Sequence, residues 1–305
     1  MYIMTSRTIV ACGHGKSADA ALAWAIHRSH WIKDPMMLVH VVEKTTLVPG
    51  KVLPPERFDR AQDLLDAAAE NVREAVSGID VRTQVITGDV VPSLVSHTDP
   101  DTLLVIGETG LAARAHSSWS IGVRVSARAA GPVAVIPSGV TPDRRGVVVG
   151  VDDTDECIRL AQTAAAEALA TGQALHVIHA WRAPSMWLDS FPLDDEFIED
   201  IAQAHRQLVD DILAALRREH PSLDITGQAV HGNAAQSLLQ CDPLPALVVV
   251  GTRSKSPFER LLLGSVSRDV LLNLDAPAII VPPVPAIHAS PDNQDRASGS
   301  TRISL

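Results

Sequence analysis

Residues 247–282 read LVVVGTRSKSPFERLLLGSVSRDVLLNLDAPAIIVP, and the reading of this stretch decides the fold. Leu247 to Val250 is a run of apolar β-formers that stops at Gly251. The polar loop after it carries Arg253, Lys255 and Arg260, and Gly264-Ser265 then opens a helical pattern. Strand, loop and helix start in that order make the connection of a βα unit. Backbone N–H groups at a helix N-terminus lack intrahelical acceptors and carry the positive end of the helix dipole, so they suit a phosphate. Glycine lets a ligand approach the backbone without a Cβ in the way. The stretch is therefore either part of a nucleotide site or a plain connection between strand and helix.

Working outward, the same order occurs twice. ALVVVG at 246–251 answers TLLVIG at 102–107, and APAIIVP at 276–282 answers GPVAVIP at 131–137. VVVGVDDT, followed by an alanine-rich helical pattern, repeats TIVACGHG and its helix. LHVIHAW answers MMLVHVV, and Gly232-Asn233 answers Gly88-Asp89. Gly13, His40, Gly107 and Pro137 thus find partners in Asp152, His179, Gly251 and Pro282 at a nearly constant offset, which marks a tandem duplication. Long helical periodicities at 54–77 and 194–218 fall at corresponding places. Each half has five strands alternating with helices, and strands that are almost uninterruptedly apolar imply a parallel sheet covered on both faces. The expectation is an α/β protein of two tandem five-stranded parallel-sheet domains, Rossmann-like, at 1–138 and 144–283. The polar segment GVTPDRR joins them, and 284–305 lacks periodicity and reads as a mobile tail.

Composition fits this reading and narrows the partners. The chain has 305 residues, of which 46% are hydrophobic, 20% charged and only 3% aromatic. A net charge of −10 argues against nucleic acid as a general partner, since phosphate backbones are bound by clusters of Lys and Arg. Cys12, Cys157 and Cys241 lie far apart with no CxxC, as expected of reduced thiols. MYIMTSR has no apolar core of a signal peptide, and no apolar run approaches the roughly 18 residues of a membrane span. The protein reads as cytoplasmic, with no membrane partner.

Gly15-Lys16-Ser17 resembles the end of a P-loop, but Val10 stands where the earlier glycine is required, so GHG is read as a tight βα turn. The second half is more informative: Gly251, two residues, Ser254, nine residues, then Gly264-Ser265-Val266-Ser267. Here the chain resembles the universal stress protein family, in its ATP-binding branch, which carries G-x-x-G, nine residues, then G-S or G-T at the end of the fourth strand. The resemblance covers roughly residues 5–283 and includes GVDDT, LHVIHAW, the Gly232 turn and GSVSRDVL.

The resemblance implies ATP, with Mg²⁺, as the bound cofactor. Asp152 would meet the adenine or ribose side, and Ala180 would set backbone polar groups against the adenine edge. Gly251 and Ser254 stand at ribose and phosphate positions, and Gly264, Ser265, Val266 and Ser267 would surround the phosphates. Ser265 and Ser267 also suit simple helix caps. Ser254 departs from the pattern: if a positive φ is needed there, serine costs on the order of 1 kcal/mol. Arg253, Lys255, Arg260 and Arg268 could offset ligand charge or be solvated loop charges.

The first half keeps Gly107 and Gly110, but Trp119 or Ser120 falls on the Gly264 position, Gly13 replaces the aspartate and Glu108 adds negative charge. It reads as a degenerate, mainly structural copy. The family further implies that PVAVIP and PAIIVP pair the halves as an internal pseudo-dimer; a homodimer of the whole chain is a separate expectation that the residues do not derive. No histidine or cysteine set has the spacing of a zinc site, and no catalytic residue is assigned. Three functions remain open: a nucleotide-dependent stress regulator, a slow ATP hydrolase using Asp152 or Asp153, and a protein-interaction scaffold that binds no nucleotide.

Overall fold

The computed structural model describes residues 6–43, 54–109, 120–141, 143–154, 156–182, 195–252 and 263–283. In the first half these form β1 (Arg7–Ala11), α1 (Lys16–Ser29), β2 (Met36–Val42), α2 (Pro55–Ala75), β3 (Val81–Thr87), α3 (Val90–Val95), β4 (Thr102–Glu108), α4 (Ile121–Ser126) and β5 (Val133–Pro137). The second half repeats the order with β6 (Val147–Gly150), α5 (Cys157–Ala170), β7 (Leu175–Trp181), α6 (Asp195–Glu219), β8 (Ile225–His231), α7 (Ala234–Leu239), β9 (Leu247–Gly251), α8 (Ser265–Leu272) and β10 (Ala278–Val281).

All the strands join one ten-stranded sheet in the order β3-β2-β1-β4-β5-β10-β9-β6-β7-β8. Within each half the pairing is parallel, in the 3-2-1-4-5 order of a doubly wound fold. The halves meet where β5 and β10 pair antiparallel, with Ile279 opposite Ala134. VAVIP and AIIV are buried at every position, so the pairing covers two apolar edges that would otherwise be open to aggregation. The expected association of PVAVIP with PAIIVP is therefore seen directly.

The near-continuous apolar strands follow from burial on both faces. One core layer contains Val10, Leu38, Val105, Val149 and Val177, packed against Ala21 and Ala25 of α1, Leu65 of α2, Ala161 and Ala165 of α5, and Ile212 of α6. On the opposite face, Ile9, Leu104, Val135, Val148, Val250 and Ile280 meet Leu94 of α3, Val125 of α4, Leu238 of α7 and Leu271 of α8. Both layers run through the two halves. Alanine on α1 and α5 keeps those helices close to the sheet, since a small side chain permits the close approach. Gly15 precedes α1 with φ 102°, a conformation that a residue with a Cβ adopts only under strain. The GHG segment is thus the tight turn expected in place of a P-loop.

Candidate functional site

The second half places its site where the strand order reverses. β6 and β9 are neighbours, their following helices lie on opposite faces, and a crevice opens beyond their carboxyl ends. Doubly wound sheets bind ligands at this point. Here a pocket of about 560 Å³ is lined by residues from β6, α5, β7, α6, α7, β9, α8 and the end of β10. Its size is that of a small-molecule site.

Seven of the eight residues singled out in the sequence line this pocket: Asp152, Ala180, Gly251, Gly264, Ser265, Val266 and Ser267. The eighth, Ser254, lies outside the described residues, as do Arg253, Lys255, Arg260, Gly110, Trp119 and the 284–305 tail. Arg268 is described, is exposed on α8 and is not among the pocket residues.

Asp152 is half-buried beyond the end of β6. Its Oδ1 accepts from the Thr154 backbone N–H at 3.1 Å and from the Thr154 hydroxyl, which holds the carboxylate in a tight turn. Ala180 stands on β7 opposite Val230, next to the buried His179. The His179 Nδ1 lies 3.0 Å from the Val151 carbonyl. A carbonyl only accepts, so Nδ1 carries the proton and Nε2 is left to accept from the His205 Nδ1 at 2.9 Å, when both rings are neutral. His205 stacks on Trp181 at a centroid distance of 4.6 Å, and His231 meets Trp181 edge-on at 4.8 Å. His179, Trp181 and His205 of this chain of rings line the pocket, on the side where α6 faces β7.

On the opposite side, Gly264 is the cap residue of α8 and contributes no side-chain cap bond. Its own N–H donates to the Thr252 carbonyl at 2.9 Å. The Ser267 hydroxyl, 1% exposed, donates to the carbonyl of Gly251. That bond fastens the first turn of α8 to the end of β9. It also corrects the reading of Ser265 and Ser267 as side-chain caps, because glycine occupies the cap position and the Ser267 hydroxyl is directed at the strand.

Sequence reasoning missed the pocket's cations and its aromatic wall. Arg159 of α5 donates through Nη2 to the Pro282 carbonyl at 3.1 Å, and Arg182 donates through Nε to the Gly232 carbonyl at 3.0 Å. Both line the pocket beside Asp152, Asp153 and Glu156. Neither arginine sits in the glycine-rich stretch, so only the position of the crevice in this fold could have singled them out. Among the described residues, no three of His, Cys, Asp and Glu gather as a metal-ligand cluster. Nor is any described helix long and apolar enough to cross a membrane.

A repeated doubly wound domain with a crevice at the switch point, walled by a helix N-terminus, defines a tandem α/β protein of the doubly wound, Rossmann-like class. The model of the universal stress protein family matches residues 4–137 and again 144–282, and the chain belongs to that family. It is similar to Universal stress protein Rv2005c of Mycobacterium tuberculosis, with 26% identity over 285 residues, covering 89% of this chain and 95% of that one. It is also similar to Universal stress protein Rv1996 of the same organism, with 28% identity over 313 residues, covering 92% and 97%. Among solved structures, a universal stress protein from Archaeoglobus fulgidus shares the fold with a TM-score of 0.68 at 16% identity, covering 92% of this chain and 97% of that one.

Proposed function

We propose that this chain is an ATP-binding universal stress protein that acts as a nucleotide-dependent regulator, with its site in the second half. The observation that carries the reading is the gathering of Asp152, Ala180, Gly251 and Gly264 to Ser267 around one pocket of about 560 Å³ at the switch point. The pocket residues fit a nucleotide. The α8 N-terminus has no side-chain cap and suits phosphates, with Arg159 and Arg182 supplying positive charge. Ala180 offers backbone groups to the base, and Asp152 an acceptor to the ribose or adenine. Mg²⁺ would come with the phosphates, as it commonly does, rather than be caged by the protein.

The test is isothermal titration of ATP into the full chain. Binding is expected, and Gly264→Trp, which sets an indole at the α8 start, is expected to abolish it. Unchanged affinity in that variant would remove the site assignment. Denaturing freshly purified protein and identifying any released nucleotide gives an independent check. We infer further a cytoplasmic homodimer as the working form, and a monomer in sedimentation at micromolar concentration would overturn the dimer.

A further inference from the structure

The two halves differ at the repeat of the pocket itself. Gly107 and Gly251 end the corresponding strands β4 and β9, yet their surroundings are opposite. A Cβ built on Gly251 would find its nearest neighbour, Leu160 Cδ2, at 3.6 Å, an ordinary contact. A Cβ on Gly107 would lie 2.0 Å from the Ser17 carbonyl oxygen and 2.3 Å from the Ser17 carbonyl carbon. The first turn of α1 therefore rests directly on the end of β4, in the space that is open pocket in the second half.

The next residue completes the difference. Thr252 follows Gly251, its N–H donates to the Val281 carbonyl at 3.0 Å and its carbonyl accepts from the Gly264 N–H at 2.9 Å. Glu108 follows Gly107, is 7% exposed, and turns its carboxylate onto the start of α4. Its Oε2 accepts from the Gly122 N–H at 3.0 Å, and its Oε1 from the Thr109 N–H at 3.3 Å. Counted back from Pro137 and Pro282, Gly122 falls on Ser267. A Cβ there would come within 2.9 Å of Glu108 Oε2, so the carboxylate fills the space that a side chain takes in the other half. Ser120, the cap residue of α4, also accepts from the Val123 N–H at 3.1 Å, whereas Gly264, the cap residue of α8, makes no side-chain cap bond.

The first half thus carries its own anion where, among the described residues, the start of α8 in the second half has no side-chain cap. A negative group at a helix start is favoured by the dipole, and a second anion brought beside it is repelled. We propose that Glu108 and the Ser17 backbone close the first half's copy of the site from within, so that each chain holds a single nucleotide, in the second half. The closure stands on the geometry of the first half; the single nucleotide rests also on the reading of the second half given above. The chain is then an asymmetric pair in one sheet, with one half built permanently in a self-liganded form and the other responsive to ligand.

Native mass spectrometry of the full chain with saturating ATP tests the stoichiometry. One nucleotide per wild-type chain and none on Gly264→Trp is the expected result. Two per wild-type chain overturns the closure, whereas one retained by Gly264→Trp overturns the second-half site assignment and with it the stoichiometry, and the closure is then judged by the exchange measurement below. A wild-type chain that binds none defeats the nucleotide reading and the stoichiometry that rests on it, and the closure is then judged without ligand by amide hydrogen exchange. The Gly122 amide is expected to be protected in the wild type and to exchange about tenfold faster in Glu108→Ala, which removes a charged acceptor. Glu108→Gln keeps a neutral acceptor and serves if the alanine variant does not fold, with a smaller change in the same direction. A Gly122 amide that exchanges freely in the wild type, or at an unchanged rate in the variant, overturns the closure.

Discussion

Arg28 of α1 and Glu167 of α5 form a buried ion pair between the two halves. The Arg28 Nη2 lies 2.6 Å from Glu167 Oε1 and its Nε lies 3.0 Å from Oε2, with Asp34 a more distant partner at 3.7 Å. Arg28 is 5% exposed and Glu167 8%. Burial alone would push the Arg28 guanidinium down, but the neighbouring Glu167 and Asp34 carboxylates hold its pKa above the ordinary value. Removing Glu167 leaves the buried Arg28 to the more distant Asp34, a weaker compensation, whereas replacing both Arg28 and Glu167 with apolar side chains of similar size removes the desolvation cost as well.

Glu167→Ala is therefore expected to lose about 3–5 kcal/mol of stability, and the double variant Arg28→Met, Glu167→Leu to recover most of it. Urea denaturation of the three proteins checks this. A Glu167→Ala loss below about 1 kcal/mol would show that the pair is screened as at a surface.

Ser267 makes a second long-range tie, to the carbonyl of Gly251. Ser267→Ala leaves a half-buried carbonyl without its donor and is expected to cost about 1 kcal/mol. Because the bond sets the position of α8 against β9, ATP affinity is expected to fall in the same variant. Calorimetry that finds binding unchanged would mean that α8 is held by its apolar contacts alone, through Val270 and Leu271.

The paired glycines give a contrast that needs no ligand. Gly251→Ala places its methyl in ordinary contact with Leu160 and is expected to leave Tm nearly unchanged. Gly107→Ala forces a methyl into the Ser17 backbone, an overpacking expected to cost about 1–3 kcal/mol or more. Thermal melts of the two variants side by side decide it, and equal shifts would contradict the difference in packing.

Two groups set opposite pH limits. Burial pushes the Cys12 thiol from 9.0 up to about 12, and burial lowers His176, which is bonded to the Thr226 hydroxyl at 2.8 Å, from its ordinary 6.5. Below pH 9.0 the Cys12 thiol is protonated in folded and unfolded chains alike. Above 9.0 the unfolded chain loses that proton first, so stability falls as pH rises towards 12. His176 is neutral in both states well above pH 6.5, and as pH drops through 6.5 the unfolded chain takes up its proton first, so stability falls there too. Maximal stability is expected between pH 6.5 and 9.0, with slow alkylation of Cys12 in the native protein. Cys12→Ala should flatten the alkaline limb of a Tm-against-pH curve, and an unaltered limb would assign it to other groups.

Much of the second-half site could be read from Gly251, Gly264 and the run to Ser267, because a strand ending in glycine and a helix opening with glycine are local events. Arg159, Arg182, Trp181 and His205 could not be read in the same way. They sit on three different elements, and their common pocket exists only after the sheet is wound. Glu108 was legible as an extra negative charge; its hydrogen bond to Gly122 was not, since the side chain's direction depends on how α4 returns to β4.

By itself the sequence determined the duplication, the alternation of strand and helix and the parallel sheets, because apolar period and glycine punctuation are written residue by residue. It also determined the resemblance that marks 247–282 as the better-kept copy of the site. Tertiary structure alone decided that one copy is open and the other closed. Ser17 against Gly107, Glu108 against Gly122, and Arg28 against Glu167 are contacts between residues far apart in the chain, and their distances are fixed by packing around a common sheet. Ångström-scale clearance, rather than residue type, separates a pocket from a filled space.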